Sequence, residues 1–450
     1  DPKYKQIPFS VEYSYEVTLN GYLSFPAWYP QNVYNVSVKE ASLELRVSAK
    51  EEVQTKEING LPKAQITFDQ NGQVLYKWKV FDLPHLEKKA FNLALEEISP
   101  GLLISPTHFQ LDGYIGSFIS WSEFGNWYAK LNSDKSELSA ETRKYLDEIS
   151  HSLIDQKELV KAIYHYMQSR VRYVSIQLGV GGFRSIPADV VDQTSYGDCK
   201  ALSNYMKAML DYVGIKSNYV LIRAGKDSPN INFDFPNNQF NHLFLAVPFE
   251  NDTIWLECTS QLTEPNYLGT FTDGRNALWI EYGNSKIIKT PSYKASKNKT
   301  TTYATLKLDE YGNGGFIIKN LKGGIYYDDF IKYKSANKDG KLKLDYEKFP
   351  FLNYEILSSS VEKVKDSLQY EEHYKLNIEN IAQRSSNGLI LPINLLEPLE
   401  NIPASVSKDN IIDIRRGYSF DEEIKIEVPQ GFSFKFLPKQ GEIEGEFGRY

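Results

Sequence analysis

Cysteine is scarce in this chain, which has two in 450 residues, Cys199 and Cys258. A disulfide framework is excluded, because one bridge between these two is the only pairing available. Even that bridge is not expected: if Glu257 points at His242, strand alternation sends Cys258 to the opposite face. Histidine numbers six. His85 and His108 stand apart from any metal-ligand spacing, so no metal and no cofactor is expected. Basic charge is also short: 51 Lys and Arg against 58 Asp and Glu give a net charge of −7. No basic stripe stands out, which argues against a general nucleic-acid binder. The lysine-rich stretch from Lys286 to Lys299 is broken by Ser, Asn, Thr and Pro and reads as a solvated linker. No run approaches the ~20 apolar residues of a membrane-spanning helix. The first of three methionines is Met167 while the chain opens on Asp1. That pattern is expected of a processed or truncated product, and a removed signal peptide would fit it.

What is present reads as globular. Hydrophobic residues make up 41% and charged residues 24%, an ordinary balance, and the length suggests about three domains. Thirty-one Tyr and 24 Phe suit β-sheet cores first, and peptide or polysaccharide grooves second. From Val11 to about Ile119 the chain alternates polar with apolar residues in strand-length runs: Val11–Val17, Ser42–Val47, Gln65–Phe68 and Val74–Val80. Asn20-Gly21, Asn59-Gly60 and Asn71-Gly72 divide them, so an antiparallel β domain is expected. Ser122–Leu131 reads as a short helix or turn and Ser133–Ser139 as a linker. Asp155 N-caps a following helix with Glu158 at the capping-box position. His151 and His165 read as helix-surface or helix-end residues. Beyond about Thr300 strands are expected again, at Thr302–Leu308, Gly314–Lys319, Tyr370–Ile378 and Glu423–Val428. An insert near 326–349 reads as helical. The alternating pattern still runs at Tyr450, so the last domain is expected to be incomplete.

Chemistry concentrates between these regions. In Tyr196-Gly197-Asp198-Cys199-Lys200, Gly197 permits a turn, Asp198 is a plausible N-cap, and Cys199 opens a helix. Ala201, Leu202, Tyr205, Met206, Met209 and Leu210 recur at helical spacing along its buried face. Unpaired N–H groups and the positive end of the helix dipole favour thiolate there. A thiolate nucleophile needs a base, and the next downstream is His242, opening the strand of Asn241 to Val247. After a turn at 249–252, Thr253 to Thr259 reads as a neighbouring strand that brings Glu257 beside His242. Nucleophile, base and orienter thus come in chain order. Gln177, on a strand before the cysteine, is a candidate second oxyanion donor, a solvent-facing strand glutamine being the other reading. Gly179-Val180-Gly181-Gly182 lacks a following Gly-Lys-Ser/Thr and reads as a mobile loop lining the cleft. The polar excursion from Ala224 to Gln239 reads as a substrate loop.

Tyr-Gly-Asp-Cys-Lys, Asn-His-Leu and Trp-Leu-Glu-Cys-Thr together resemble the transglutaminase-like superfamily. In particular they resemble the bacterial type, frequent in Bacteroidetes, with a β-rich domain on each side of such a core. The resemblance covers roughly Asp155 to Tyr282. It implies Cys199 as nucleophile, His242 as imidazole partner and Glu257 at the acidic position. Glu257 departs from the pattern, since many relatives carry Asp followed by Pro-Thr. The fold expected is α+β: a papain-like or transglutaminase-like core at 140–290, flanked by antiparallel β-sandwich-like domains at 1–132 and 298–450. The function expected is amide acyl transfer through a thioester, on a peptide, protein or glycopeptide substrate. The alternative is a non-catalytic peptide- or glycan-binding scaffold of the cell envelope. The resemblance also implies an exported protein, periplasmic, outer-membrane-associated or extracellular.

Overall fold

Alternating residues build the first sheets of this computed structural model, which describes residues 10–449 apart from 13, 19–22, 49, 90, 135, 176–178, 397–412 and 447. The chain forms two units, Asp1–Gln261 with Arg275–Thr290, and Leu262–Gly274 with Pro291–Tyr450.

In the first unit, strands β1 (Val38–Val47), β2 (Val53–Ile58), β3 (Gln65–Phe68), β4 (Val74–Leu83) and, after the one-turn helix α1 (Leu95–Ile98), β5 (Gly101–Pro106) make two small antiparallel sheets, β1-β4-β3 and β2-β5. Trp78 and Val80 of β4 meet Leu102 and Ile104 of β5 in a core of their own. Of the Asn-Gly turns, 59–60 and 71–72 carry a glycine at positive φ, as expected, whereas 20–21 lies outside the described residues. No strand forms at 11–17 among the described residues. Alternation alone does not make a strand where no neighbour supplies hydrogen bonds.

The hairpin of β6 (His108–Leu111) and β7 (Tyr114–Ser117) packs with the helices on its C-terminal side. Phe109 and Phe118 join the core formed by helices α2 (Trp121–Leu131), α3 (Ala140–Ser152), α4 (Gln156–Arg170), α5 (Ala188–Thr194) and α6 (Cys199–Tyr212). Ser120, Ser139, Asp155 and Asp198 cap four of these helices by accepting backbone N–H bonds, which satisfies donors a helix start leaves open. The Glu158 carboxylate pairs with Lys161 at 2.7 Å instead of closing a capping box. Of the strand expected at 171–178, Arg172–Tyr173 forms β8, which pairs in parallel with β9 (Tyr196–Gly197), and 176–178 lie outside the described residues. Strands β10 (Asn218–Ile222), β11 (His242–Phe249), β12 (Asp252–Leu256), β13 (Asn276–Ile280) and β14 (Lys286–Lys289) form one antiparallel sheet in the order β12-β11-β10-β13-β14. Helix α6 lies against it: Tyr205, Met206, Met209 and Leu210 share a core with Leu221, Leu243, Leu245 and Leu256.

The second unit departs from an antiparallel sandwich. After the short helix α7 (Gly269–Thr272) come strands β15 (Lys299–Leu308) and β16 (Gly314–Gly323), then helices α8 (Tyr327–Ser335) and α9 (Lys338–Tyr346). Strands β17 (Tyr354–Lys363), β18 (Gln369–Ile378), β19 (Gln383–Ser385), β20 (Gly388–Ile390) and β21 (Ser419–Glu427) follow, and the short antiparallel pair β22 (Glu444–Gly445) and β23 (Gly448–Arg449) comes last. Five of the strands make one sheet, β17-β18-β16-β15-β21, in which β21 runs parallel to β15. A parallel neighbour needs a long crossover rather than a hairpin. The helical insert expected near 326–349 is α8 with α9, and Tyr327 and Phe330 pack on Tyr370 and Val361. Among the described residues no helix is long and apolar enough to cross a membrane.

Candidate active site

Helix α6 is fixed in place by polar contacts as well as by its apolar face. The buried Asp192 accepts the Tyr205 hydroxyl at 2.9 Å, the Thr142 hydroxyl at 2.8 Å and the Ser139 N–H at 3.2 Å. Burial pushes the Asp192 carboxyl up, but these donors outweigh it and hold it below its ordinary value. At the start of the helix, Asp198 Oδ1 accepts the Ala201 N–H at 3.0 Å, while its other oxygen pairs with the buried Lys200 ammonium. Cys199 is therefore the first residue of a capped and anchored helix. Gly197 has a role other than the expected turn. It is not among the positive-φ residues, which do include Ser195 at 59°. A Cβ on Gly197 would instead lie 2.6 Å from the Ala201 Cβ. The glycine allows β9 to pass close to the helix.

His242 opens β11, where it pairs with Ile222 of β10. Leu245 pairs with Leu256, so Glu257, one residue past β12, stands level with Phe244 and one alternate position from His242. Diagonal neighbours of this kind are beyond the reach of short side chains. The additional methylene of Glu spans the gap: His242 Nε2 lies 3.1 Å and 2.9 Å from the two Glu257 carboxylate oxygens. Both side chains are buried, at 8% exposure each. The Cys199 side chain is near enough to the same imidazole to raise its pKa. With Nε2 committed to Glu257, Nδ1 is the ring nitrogen left for the thiol.

Charge and burial compete at this ring. Burial acts to lower the His242 pKa, but the charge of the Glu257 carboxylate, the hydrogen bond it accepts from the ring and the nearby Cys199 overcome it and lift the imidazole from 6.5 to about 10. Burial likewise raises Glu257, and the imidazolium together with Thr259 outweighs it, so the carboxyl stays below its ordinary value. Thr259 gives Glu257 Oε1 its hydroxyl proton at 2.5 Å and its N–H at 3.2 Å. The Tyr164 hydroxyl holds the Glu257 carbonyl at 2.7 Å. Sequence reasoning assigned no role to either residue. The signal for Thr259 was its place two residues after Glu257, on the same side of an extended chain.

Cys258 points away from Glu257, into the core that also contains Cys199. Its thiol donates to the Leu256 carbonyl at 3.5 Å, and burial pushes its pKa up. Both cysteines are unbridged. Gln177 lies outside the described residues. The glycines at 179–182 form a single 3-10 turn, and Gly182 lines the cleft. The other histidines treated in the sequence lie in separate contacts: His85 beside Glu87, His108 on Thr107, His151 on the Asp147 carbonyl and His165 on Gln168. Among the described residues no group of three His, Cys, Asp or Glu side chains is placed to hold a metal.

A cleft of about 70 Å³ opens onto Cys199 and His242, walled by Phe124, Tyr128, Phe183 and Phe240. Phe240 belongs to the end of the excursion before β11, which is tied down rather than loose. Lys56 bonds Asn232 at 2.8 Å and Asp234 at 2.6 Å, Ser105 bonds the Pro236 carbonyl at 2.8 Å, and Trp121 Nε1 bonds the Phe233 carbonyl at 2.5 Å. A larger hollow of about 560 Å³ lies on the sheet of the second unit, lined by Tyr303, Lys319 and His373 among others. It has no cysteine, and its histidine pairs with Glu371 at 3.3 Å.

No protein-family model matches the sequence, and no curated protein matches it. Three solved structures are similar in chain path. A candidate protease from Parabacteroides distasonis is 13% identical with a TM-score of 0.44, covering 79% of this chain and 69% of that one. A candidate cysteine protease from Cytophaga hutchinsonii is 11% identical with a TM-score of 0.23, over 49% of this chain and 72% of that one. The periplasmic domain of TgpA from Pseudomonas aeruginosa is 12% identical with a TM-score of 0.21, over 53% and 77%. The chemistry available to this chain is set by its own geometry: a thiol at a helix start, a buried imidazole beside it, and a carboxylate on the far side of the ring.

Proposed function

We propose that this chain is a cysteine-dependent amide acyl-transfer enzyme of transglutaminase-like character. The observation that carries the reading is the buried imidazole of His242, bonded through Nε2 to Glu257 and lining one cleft with Cys199, the first residue of α6. In the proposed reaction Cys199 Sγ forms a bond to the amide carbon and the carbonyl π pair moves to oxygen. His242 gives its proton to the leaving nitrogen as the C–N bond breaks, and a thioester remains on Cys199. Water or an amine then loses a proton to His242 while attacking the thioester, and the C–S bond breaks. Glu257 keeps the imidazole oriented throughout and stabilises its charge whenever it carries the proton. The substrate proposed is a peptide, protein or glycopeptide, and the site of action the cell envelope or beyond.

The test offers the full chain a peptide mixture together with dansylcadaverine, with Cys199→Ala as control. New carboxyl termini mark hydrolysis, and dansylated peptides mark transfer to an amine. Absence of both, with no acyl adduct on Cys199 by mass spectrometry, would refute the enzyme reading in favour of a binding protein.

A further inference from the structure

Most of the polar groups that line the cleft are committed. His242 is bonded to Glu257, and Lys200 pairs with Asp198. Asn241 spends both halves of its amide on Ala224, at 2.7 Å and 3.0 Å. The Asn238 amide nitrogen bonds Ser24 Oγ at 2.6 Å. Tyr128, projecting from α2, is 2% exposed, and its hydroxyl makes no hydrogen bond to any described residue, although the residue lines the cleft with Cys199. Its ring is held edge-on to Tyr219 at 6.2 Å, and the Tyr219 hydroxyl is itself spent on Asn204 at 2.8 Å. The hydroxyl sits in the cleft lining with its donor uncommitted, where it can bond what enters.

Building on the acyl-transfer reading, we propose that the Tyr128 hydroxyl is the second oxyanion donor, acting together with the Cys199 backbone N–H. When Sγ adds to the carbonyl, a full negative charge forms on oxygen, and catalysis depends on donors already aimed at that position. The Cys199 N–H is one of the N–H groups that a helix start leaves without an intrahelical acceptor. It supplies one donor from α6, and Tyr128 supplies the other from α2. The hydroxyl keeps its proton across the working range: burial, then the charges that can form on Tyr219, Cys199 and Asp198, raise its pKa well above the ordinary tyrosine value.

Two probes separate this role from any effect on the thiol. Acetylation of Cys199 by p-nitrophenyl acetate passes through an oxyanion, whereas alkylation by iodoacetamide displaces iodide without one. Tyr128→Phe in the full chain removes only the hydroxyl. The variant should alkylate Cys199 within about twofold of the parent rate and acetylate it ~10²-fold more slowly, with peptide mapping to identify the site. Equal rates with both probes, or an equal fall in both, would overturn the assignment. A parent chain that alkylates Cys199 but never acetylates it would overturn the acyl-transfer reading and this inference with it.

Discussion

Glu257→Gln keeps the volume of the side chain and removes its charge. In the parent, the imidazole carries its proton until about pH 10, because the carboxylate outweighs burial. Without that charge, burial meets much less opposition, and the ring's pKa falls well below about 10. At pH 7.5 the parent therefore holds an imidazolium beside the thiol and the variant a neutral ring. Removing one partner of a buried pair costs ~3–5 kcal/mol if the other charge stays, so deprotonation is the cheaper outcome. The assay is the rate of iodoacetamide alkylation at Cys199 from pH 5 to 10. The parent rate should exceed the variant's wherever the parent ring is charged and the variant's is not, since an imidazolium favours the thiolate beside it. The variant should be at least tenfold slower at pH 6 to 7 and climb steeply with pH. Stability should depend on the same groups. The His242 contribution is complete below 6.5 and is lost as pH rises through about 10. The Glu257 contribution is present above the ordinary carboxylate value and is lost as pH falls through its lowered one. A variant profile that superimposed on the parent in both rate and urea stability would refute the orienting role of Glu257.

Thr259→Val removes the hydroxyl that donates to Glu257 at 2.5 Å; a bond to a charged group is worth ~1.5–3 kcal/mol. The variant should lose stability to urea at neutral pH by about that amount, and a change below ~0.5 kcal/mol would count against the contact. Gly197→Ala places a methyl group 2.6 Å from the Ala201 Cβ; the displaced cysteine turn should lower both the melting temperature and Cys199 alkylation, so parent-like values for both would sink the close-approach account. In the native chain Cys199 should be alkylated well before Cys258, whose thiol burial holds protonated; peptide mapping that found Cys258 first would reverse the assignment of the nucleophile.

The chain division illustrates how far patterning reaches. The strand read at Gln65–Phe68, the strand read at Thr302–Leu308 within the observed Lys299–Leu308, and the helix opened by Cys199 could be placed because apolar residues recur at the period of each element. Periodicity says nothing about which core a stretch joins. The sequence reading put 108–131 with the strands before it, whereas Phe109, Phe118, Phe124 and Trp127 pack around the cysteine helix. The same limit explains β21, whose alternating pattern is legible while its parallel pairing with β15 is not. Register and neighbour choice depend on residues far away in the chain.

The sequence by itself determined the three residue types of the candidate site and their order, because a capped helix start, a strand opening and a neighbouring strand are local features. It also determined that Cys258 turns away from Glu257, since that comes from a period of two. Only the tertiary structure decided what those groups do to one another. Glu257 reaches the ring because the β11–β12 register leaves a diagonal gap that its length fills. His242 holds its proton because the packing sets a carboxylate beside it that outweighs burial, and the same packing brings Thr259 and Tyr164 onto Glu257. Charge and hydrogen-bond energies depend on distance and burial, and neither quantity exists until the chain has folded.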